Sequence, residues 1–367
     1  SMFPGLSTDG LQTKHIKGDP TGVVLGRGTL DGRPVFVKLA ERGSHDIQAM
    51  HREAEIHVNR RIANMIKEEK GSSTSNCFLA AECHERTYDT DYNNVESTVI
   101  LIWLRRLIEA NVGKYQNASW SRTWNVVFFV MRPFDDPRSL LKWWDEDVCK
   151  KKPNSNPNYL LALSQPGLSE GDKEKREKRD NDRASVFAQL VLALEMLAKH
   201  GITHNDLHWD NIFVETIADE GTGCDYRPVI YDWDRAVMDV EKLPESERSA
   251  VSKLNERFNP SDSAHKDVWH VAEHHPYVDL LALYKSAVMT ITKPPWLEKV
   301  CEILEERIFR KHPGLRTITR FFHITCLPRT TSSAAASTTK CRDFVRSPLV
   351  TETNYATCAY EWSKIVE

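Results

Sequence analysis

With 367 residues, 40% of them hydrophobic and 28% charged, the chain is long enough to bury one large core or the cores of two lobes. Its formal net charge is −3, so the broad basic field that nucleic acids or anionic membranes require is missing, and neither partner is expected. No stretch approaches the roughly 20 apolar residues that span a bilayer, and the opening SMFPGLSTDG has neither the basic start nor the apolar core of a secretory leader. The eight cysteines are scattered without a C-x-x-C pair, which reads as reduced thiols in a cytoplasmic or nuclear protein.

In chain order, TKHIKG (13–18) and VVLGRGTL (23–30) read as strands around the turn chemistry of DPTG. Asp31-Gly32 is a hairpin signal, and RPVFVKLA (33–40) follows as a third strand. Residues 45–69 carry Ile47, Met50, Ala54, Val58 and Ile62 at helical spacing. EKGSSTSN (69–76) is a loop, and VVFFVMRPF (126–134) is a buried strand ending at Pro133. LLKWW (140–144) begins a helix. Residues 145–183 are polar and charged and read as a mobile insertion. ASVFAQLVLALEMLAKHG (184–201) is an apolar helix that Gly201 terminates. Short strands are expected at NIFVE (211–215) and PVIYDWD (228–234), helices at 278–292 and 296–310, and a low-complexity stretch at 330–340.

Between the apolar helix and the last strand lies THNDLHWDN (203–211). With His200, it places histidines at 200, 204 and 208, a spacing that would suit zinc on a helix face. Gly201 ends the helix ahead of His204 and His208, which argues against that reading. HVAEH (270–274) matches an inverted zincin pattern, but five-residue matches are common by chance. Phosphoryl transfer asks for a different set: a cation for the phosphates, oxygen ligands for a divalent metal, and a carboxylate for the attacking hydroxyl. Lys38 on its apolar strand, Glu53 or Glu55 on the next helix, Asp206 and Asn211 in the loop, and Asp232 at a strand end supply these in one order.

These residues resemble the protein-kinase superfamily. HNDLHWDN is similar to its catalytic loop, DWD (232–234) to its D-F-G metal motif, and VFVK (35–38) to V-A-I-K. YVDLLALYKS (277–286) resembles the buried central helix of the large lobe with its Asp, and the resemblance runs from about residue 13 to 310. It implies an α+β, bilobal kinase-like fold, with a β-rich small lobe over 1–133 and a mainly helical large lobe over 134–367. ATP and Mg2+ would occupy the cleft.

The resemblance further implies Asp206 as catalytic base, Asn211 and Asp232 as metal ligands, and Lys38 as the phosphate lysine. Glu53 is favoured as the partner of Lys38, with Glu55 as the alternative. Met131 would be the gatekeeper, Arg132–Phe134 the hinge, and Phe213 a nucleotide contact. For the glycine-rich loop, Gly18 and Gly22 are favoured over the GRG of 26–28. Asn205 replaces the arginine that usually reads an activation-loop phosphate. His208 replaces the lysine that steadies the transferring phosphoryl group, and Phe36 replaces the alanine that packs on adenine. HNDL and DWD look like choline kinases and aminoglycoside phosphotransferases, while DLHW looks like haspin. The expected function is therefore ATP-dependent phosphorylation of a hydroxyl, on a Ser or Thr of a protein or on a small molecule. A pseudokinase scaffold is the third possibility.

Overall fold

The computed structural model describes residues 15–18, 23–30, 33–42, 47–89, 98–115, 123–133, 138–144, 170–217, 226–258, 272–274, 279–280, 282–283 and 297. In chain order these form β1 (His15–Gly18), β2 (Val23–Leu30), β3 (Arg33–Glu41), α1 (Ile47–Glu68), β4 (Glu82–Asp89), α2 (Thr98–Tyr115), β5 (Thr123–Met131), β6 (Arg138–Ser139), α3 (Leu140–Trp144), α4 (Glu170–Lys199), β7 (Ile202–Thr203), β8 (Ile212–Thr216), β9 (Tyr226–Ile230), β10 (Val237–Met238) and α5 (Glu245–Asn255). The chain is thus a mixed helix and strand protein with small sheets. It divides into two compact units. The first comprises Ser1–Gly71, Phe78–Asp135 and Asp232–Asn259, and the second Ser72–Cys77, Asp136–Tyr231 and Pro260–Glu367.

In the first unit, β1 to β5 form one antiparallel sheet in the order β1-β2-β3-β5-β4. Leu30 faces Arg33 in the β2–β3 register, so the strands read on either side of Asp31-Gly32 do pair as a hairpin. Side chains alternate along a strand, and both faces are apolar. On one face Val35, Val37 and Leu39 meet Val126, Phe128, Val130 and the α2 residues Trp103, Leu104 and Leu107. On the other, Ala40, Val127 and Phe129 meet Ile56 of α1, with Leu25 and Met131 packed at its margin. Phe128 and Phe129 are fully buried, and each contributes about 1.5–3 kcal/mol over an exposed position. Neither β4 nor α2 was legible in the sequence. β4 reads ECHERTYD, mostly half-exposed polar residues, and α2 is so apolar on several sides that its period is weak.

In the second unit, β6, β8 and β9 form a small antiparallel sheet. The Gln189 amide of α4 donates to the Tyr226 carbonyl of β9 at 3.1 Å. The expected insertion over 145–183 requires a correction in its second part, while residues 145–169 lie outside the described residues. Residues 170–183 are the first half of α4, a single helix of 30 residues. Glu, Lys and Arg are good helix formers, and charged composition alone does not distinguish a solvated helix from a loop. Two of those charges dock: Arg179 stacks on the Trp143 ring and Arg183 on the Trp144 ring, and each guanidinium donates to the carbonyl of the tryptophan it covers. The other end of α4 behaves as read, because Gly201 adopts φ +69, the left-handed conformation that closes a helix. Burial pushes the Cys77 and Cys83 thiols up to about 12, so both are unreactive near neutral pH.

Candidate active site

Within the first unit, Lys38 emerges from the centre of β3, paired with Leu25 on β2 and Phe129 on β5. Its ammonium lies 2.9 Å from both carboxylate oxygens of Glu55 and 3.4 Å from Oδ1 of Asp232. The Phe129 ring centroid is 5.5 Å away. Residues separated by 17 and 194 positions are therefore brought to one point.

Burial alone would lower the Lys38 pKa, but Glu55, Asp232 and Asp234 outweigh it and hold the ammonium above the usual lysine range. Glu55 moves up to about 7, chiefly through burial. Lys38 pulls it down, while Asp232 and Asp234 push it further up. One ammonium faces three carboxylates, and Lys38 keeps its proton while Glu55 is the group that yields.

The expected partner of Lys38, Glu53, is a misassignment. The Glu53 carboxylate is held by Arg42 at 2.8 and 2.9 Å and lies 3.7 Å from His57. The neighbouring His57 ring, ahead of Arg42, brings its pKa down to about 2 against the opposing effect of burial. At 100° per residue, positions two apart on a helix face opposite sides. Glu55 stands three residues before Val58 and seven before Ile62, inside the buried stripe of α1, where an acid needs a buried cation. That stripe was the signal that could have selected it.

Asp232 does not end a strand as expected. β9 stops at Ile230, and Asp232 takes the left-handed conformation, φ 67 and ψ 71, at the entry of a 3₁₀ turn, Trp233–Arg235. Asp tolerates this region better than most residues. The next side chain fixes it: the Trp233 ring is buried beside Phe78, and its Nε1–H donates to the Leu79 carbonyl at 2.8 Å.

In the second unit the 203–211 loop is held by backbone hydrogen bonds. Buried Asp279 accepts from the His204 amide at 2.7 Å and the Asn205 amide at 2.8 Å, which secures Asn205 at φ 69. Burial raises the Asp279 pKa, against the pull of His204 and the two amides. His204 is fully buried. Its Nε2–H donates to the Tyr231 carbonyl at 2.8 Å, and its Nδ1 faces the Asp206 amide at 3.4 Å. The Asn211 side-chain amide donates to the Asp206 carbonyl at 2.9 Å. The exposed His208 ring accepts at Nδ1 from the Asp210 amide at 3.2 Å and so caps the 3₁₀ turn Trp209–Asn211. Phe213 stacks on Tyr231 with centroids 4.0 Å apart.

Lys38 and Asp232 thus lie in the first unit, with Met131 half-buried at the end of β5 opposite Phe36. Asp206, Asn211, His208 and Phe213 lie in the second. Gly18 ends β1, while Gly22 and Phe134 fall outside the described residues. Gly26 and Gly28 lie inside β2, paired with Val37 and Val35. Of the HVAEH pattern, His270 is outside the described residues, and the ring of His274 is 2.9 Å from the Thr203 hydroxyl. Among the described residues no group of three or more His, Cys, Asp or Glu has the arrangement of a metal site, and no helix is long and apolar enough to cross a membrane.

No family model matches the sequence, and no curated protein matches it. Among solved structures, the chain is similar to WaaP in complex with acyl carrier protein, at 16% identity and a TM-score of 0.42, with 87% of this chain and 91% of that one covered. It is also similar to the BubR1 kinase domain, at 12% identity and a TM-score of 0.40, with 97% of this chain and 85% of that one covered.

Proposed function

We propose that the chain is an ATP- and Mg2+-dependent phosphotransferase of bilobal kinase-like fold, with lobes 1–133 and 134–367, acting on Ser or Thr hydroxyls of a protein substrate. The observation that carries this reading is the convergence of Lys38, Glu55 and Asp232: a half-buried lysine kept protonated, clamped by one acid and in contact with a second. Such an ammonium is suited to the phosphates of a nucleotide, and Glu55 fixes its position.

Asp232 and Asn211 offer carboxylate and amide oxygens, the hard donors that Mg2+ takes, and the carboxylate excess around Lys38 fits a divalent cation. When bound, the ion would neutralise charge on the phosphates. Asp206 orients the acceptor hydroxyl and takes its proton as the hydroxyl oxygen bonds to the γ-phosphorus and the bond to ADP breaks. The capped ring of His208 occupies the position of a lysine in the resembling family, and Phe36 stands two residues before Lys38 on the same face of β3.

A thermal-shift titration with ATP and Mg2+ tests the first step, because a ligand of the native state raises apparent stability. Mass spectrometry of a peptide library and a panel of hydroxyl metabolites, each incubated with ATP, tests the second. Phosphopeptides are expected. Phosphorylated metabolites alone would move the assignment to a small-molecule kinase, binding without turnover would leave a scaffold, and no shift would sink the reading.

A further inference from the structure

A buried cation elsewhere in the first unit lies outside the Lys38–Glu55–Asp232 contacts. Arg257 lies in the 3₁₀ turn Glu256–Phe258 that follows α5, and it is buried. Its Nε–H donates to Nδ1 of His51 at 3.1 Å. One terminal nitrogen donates to the Leu254 carbonyl at 2.7 Å. The other donates to the Ala236 carbonyl at 2.6 Å and reaches the Asp234 carbonyl at 3.4 Å. His51 Nδ1 is itself 3.1 Å from the Asp234 carbonyl, and the Phe258 ring lies against both the guanidinium and the His51 ring.

The positions of these partners matter more than their number. His51 precedes Glu55 by four residues on α1, so the two share a helix face. Asp234 and Ala236 follow Asp232 by two and four residues. The guanidinium therefore ties the helix that carries Glu55 to the segment that carries Asp232, the two acids that meet at Lys38. A buried charge is costly, and an apolar side chain of similar length would fill the same space without that cost. A fork of donors is what joins one ring and three carbonyls in fixed geometry.

Resting on the proposed phosphotransferase reading, we propose that Arg257 is a positioning residue: through His51 and the 234–236 carbonyls it sets the relative placement of Glu55 and Asp232. The test is the full chain carrying Arg257→Met, which keeps an unbranched stem as far as the Nε position and removes every donor. Hydrogen exchange of the amides in 51–56 and in 232–236 should accelerate together by at least tenfold, with β2 and β3 amides unchanged. The Mg2+ concentration giving half-maximal ATP turnover should rise at least fivefold, and Arg257→Lys should restore part of both. A merely structural role would lower the amount of active protein and leave the Mg2+ requirement where it was.

If only one segment, or neither, exchanges faster, the coupling is refuted. If Arg257→Met fails to fold, His51→Leu removes the α1 end of the bridge alone and must accelerate the 232–236 amides, or the proposal falls. If the wild-type chain turns over no ATP, the phosphotransferase reading fails, and the paired exchange measurement decides the coupling on its own.

Discussion

The cluster around Lys38 in the first unit and the 203–211 loop in the second hold their key side chains by opposite means. The first is a balance of charge: a half-buried ammonium, a bidentate acid and two further carboxylates. The second is a lattice of side-chain-to-backbone hydrogen bonds in which Asp279, His204 and Asn211 fix the main chain. The first should therefore respond to pH and to added cations. The second should respond to the loss of single donors or acceptors and remain indifferent to salt.

The largest expected effect probes the second region. Asp206→Asn should lower turnover by roughly 10²–10⁴ while the thermal midpoint stays put, as measured by phosphoryl transfer and by calorimetry. A large loss of stability would show that the loop, too, depends on this charge. Lys38→Met probes the first region, and removing one member of a buried pair costs about 3–5 kcal/mol. That cost should be full at pH 8 and smaller at pH 5, where Glu55 can take up a proton. Denaturant titrations at the two pH values check it.

Glu55 itself supplies a finer test. Its pKa is raised in the folded chain from 4.5 to about 7, so its contribution to stability is complete below about 4.5 and is lost as pH rises through about 7. The wild type should lose about 3 kcal/mol against Glu55→Gln across that window. Parallel stability curves would mean that the cluster is not charge-balanced in this way. Asp279→Asn turns one acceptor into a donor facing an amide and should cost about 1–3 kcal/mol, with little dependence on salt. The smallest change is His208→Ala, which removes a cap and should cost about 0.5–1 kcal/mol in chemical denaturation, with His208→Asn restoring most of it.

Most of the hairpin strands and the loop were legible because their signals are local. Alternation marks β3, and an apolar helix closed by glycine precedes the 203–211 loop. The choice between Glu53 and Glu55 was not local. It depended on which face of α1 meets the sheet, and the apolar positions gave that face more clearly than the motif did. Asp232 was placed on a strand because Val229, Ile230 and Tyr231 are apolar, whereas the chain leaves β9 at Ile230 and turns left-handed. Arg257 could not be found from sequence at all. An arginine near the end of a polar helix looks like surface, and only tertiary packing turns its fork of donors inward.

The paired stacking of Arg179 and Arg183 on Trp143 and Trp144 has a consequence for how the chain tolerates change. The two strands of the connection, leaving α3 and entering α4, are stapled to each other before and after residues 145–169. Chain length inside such a staple is thermodynamically cheap, since doubling a connection costs only about 0.6 kcal/mol. A change of chain length between Trp144 and Glu170 should therefore leave the pairing of α3 with α4 intact, because the Arg179 and Arg183 contacts lie outside that interval.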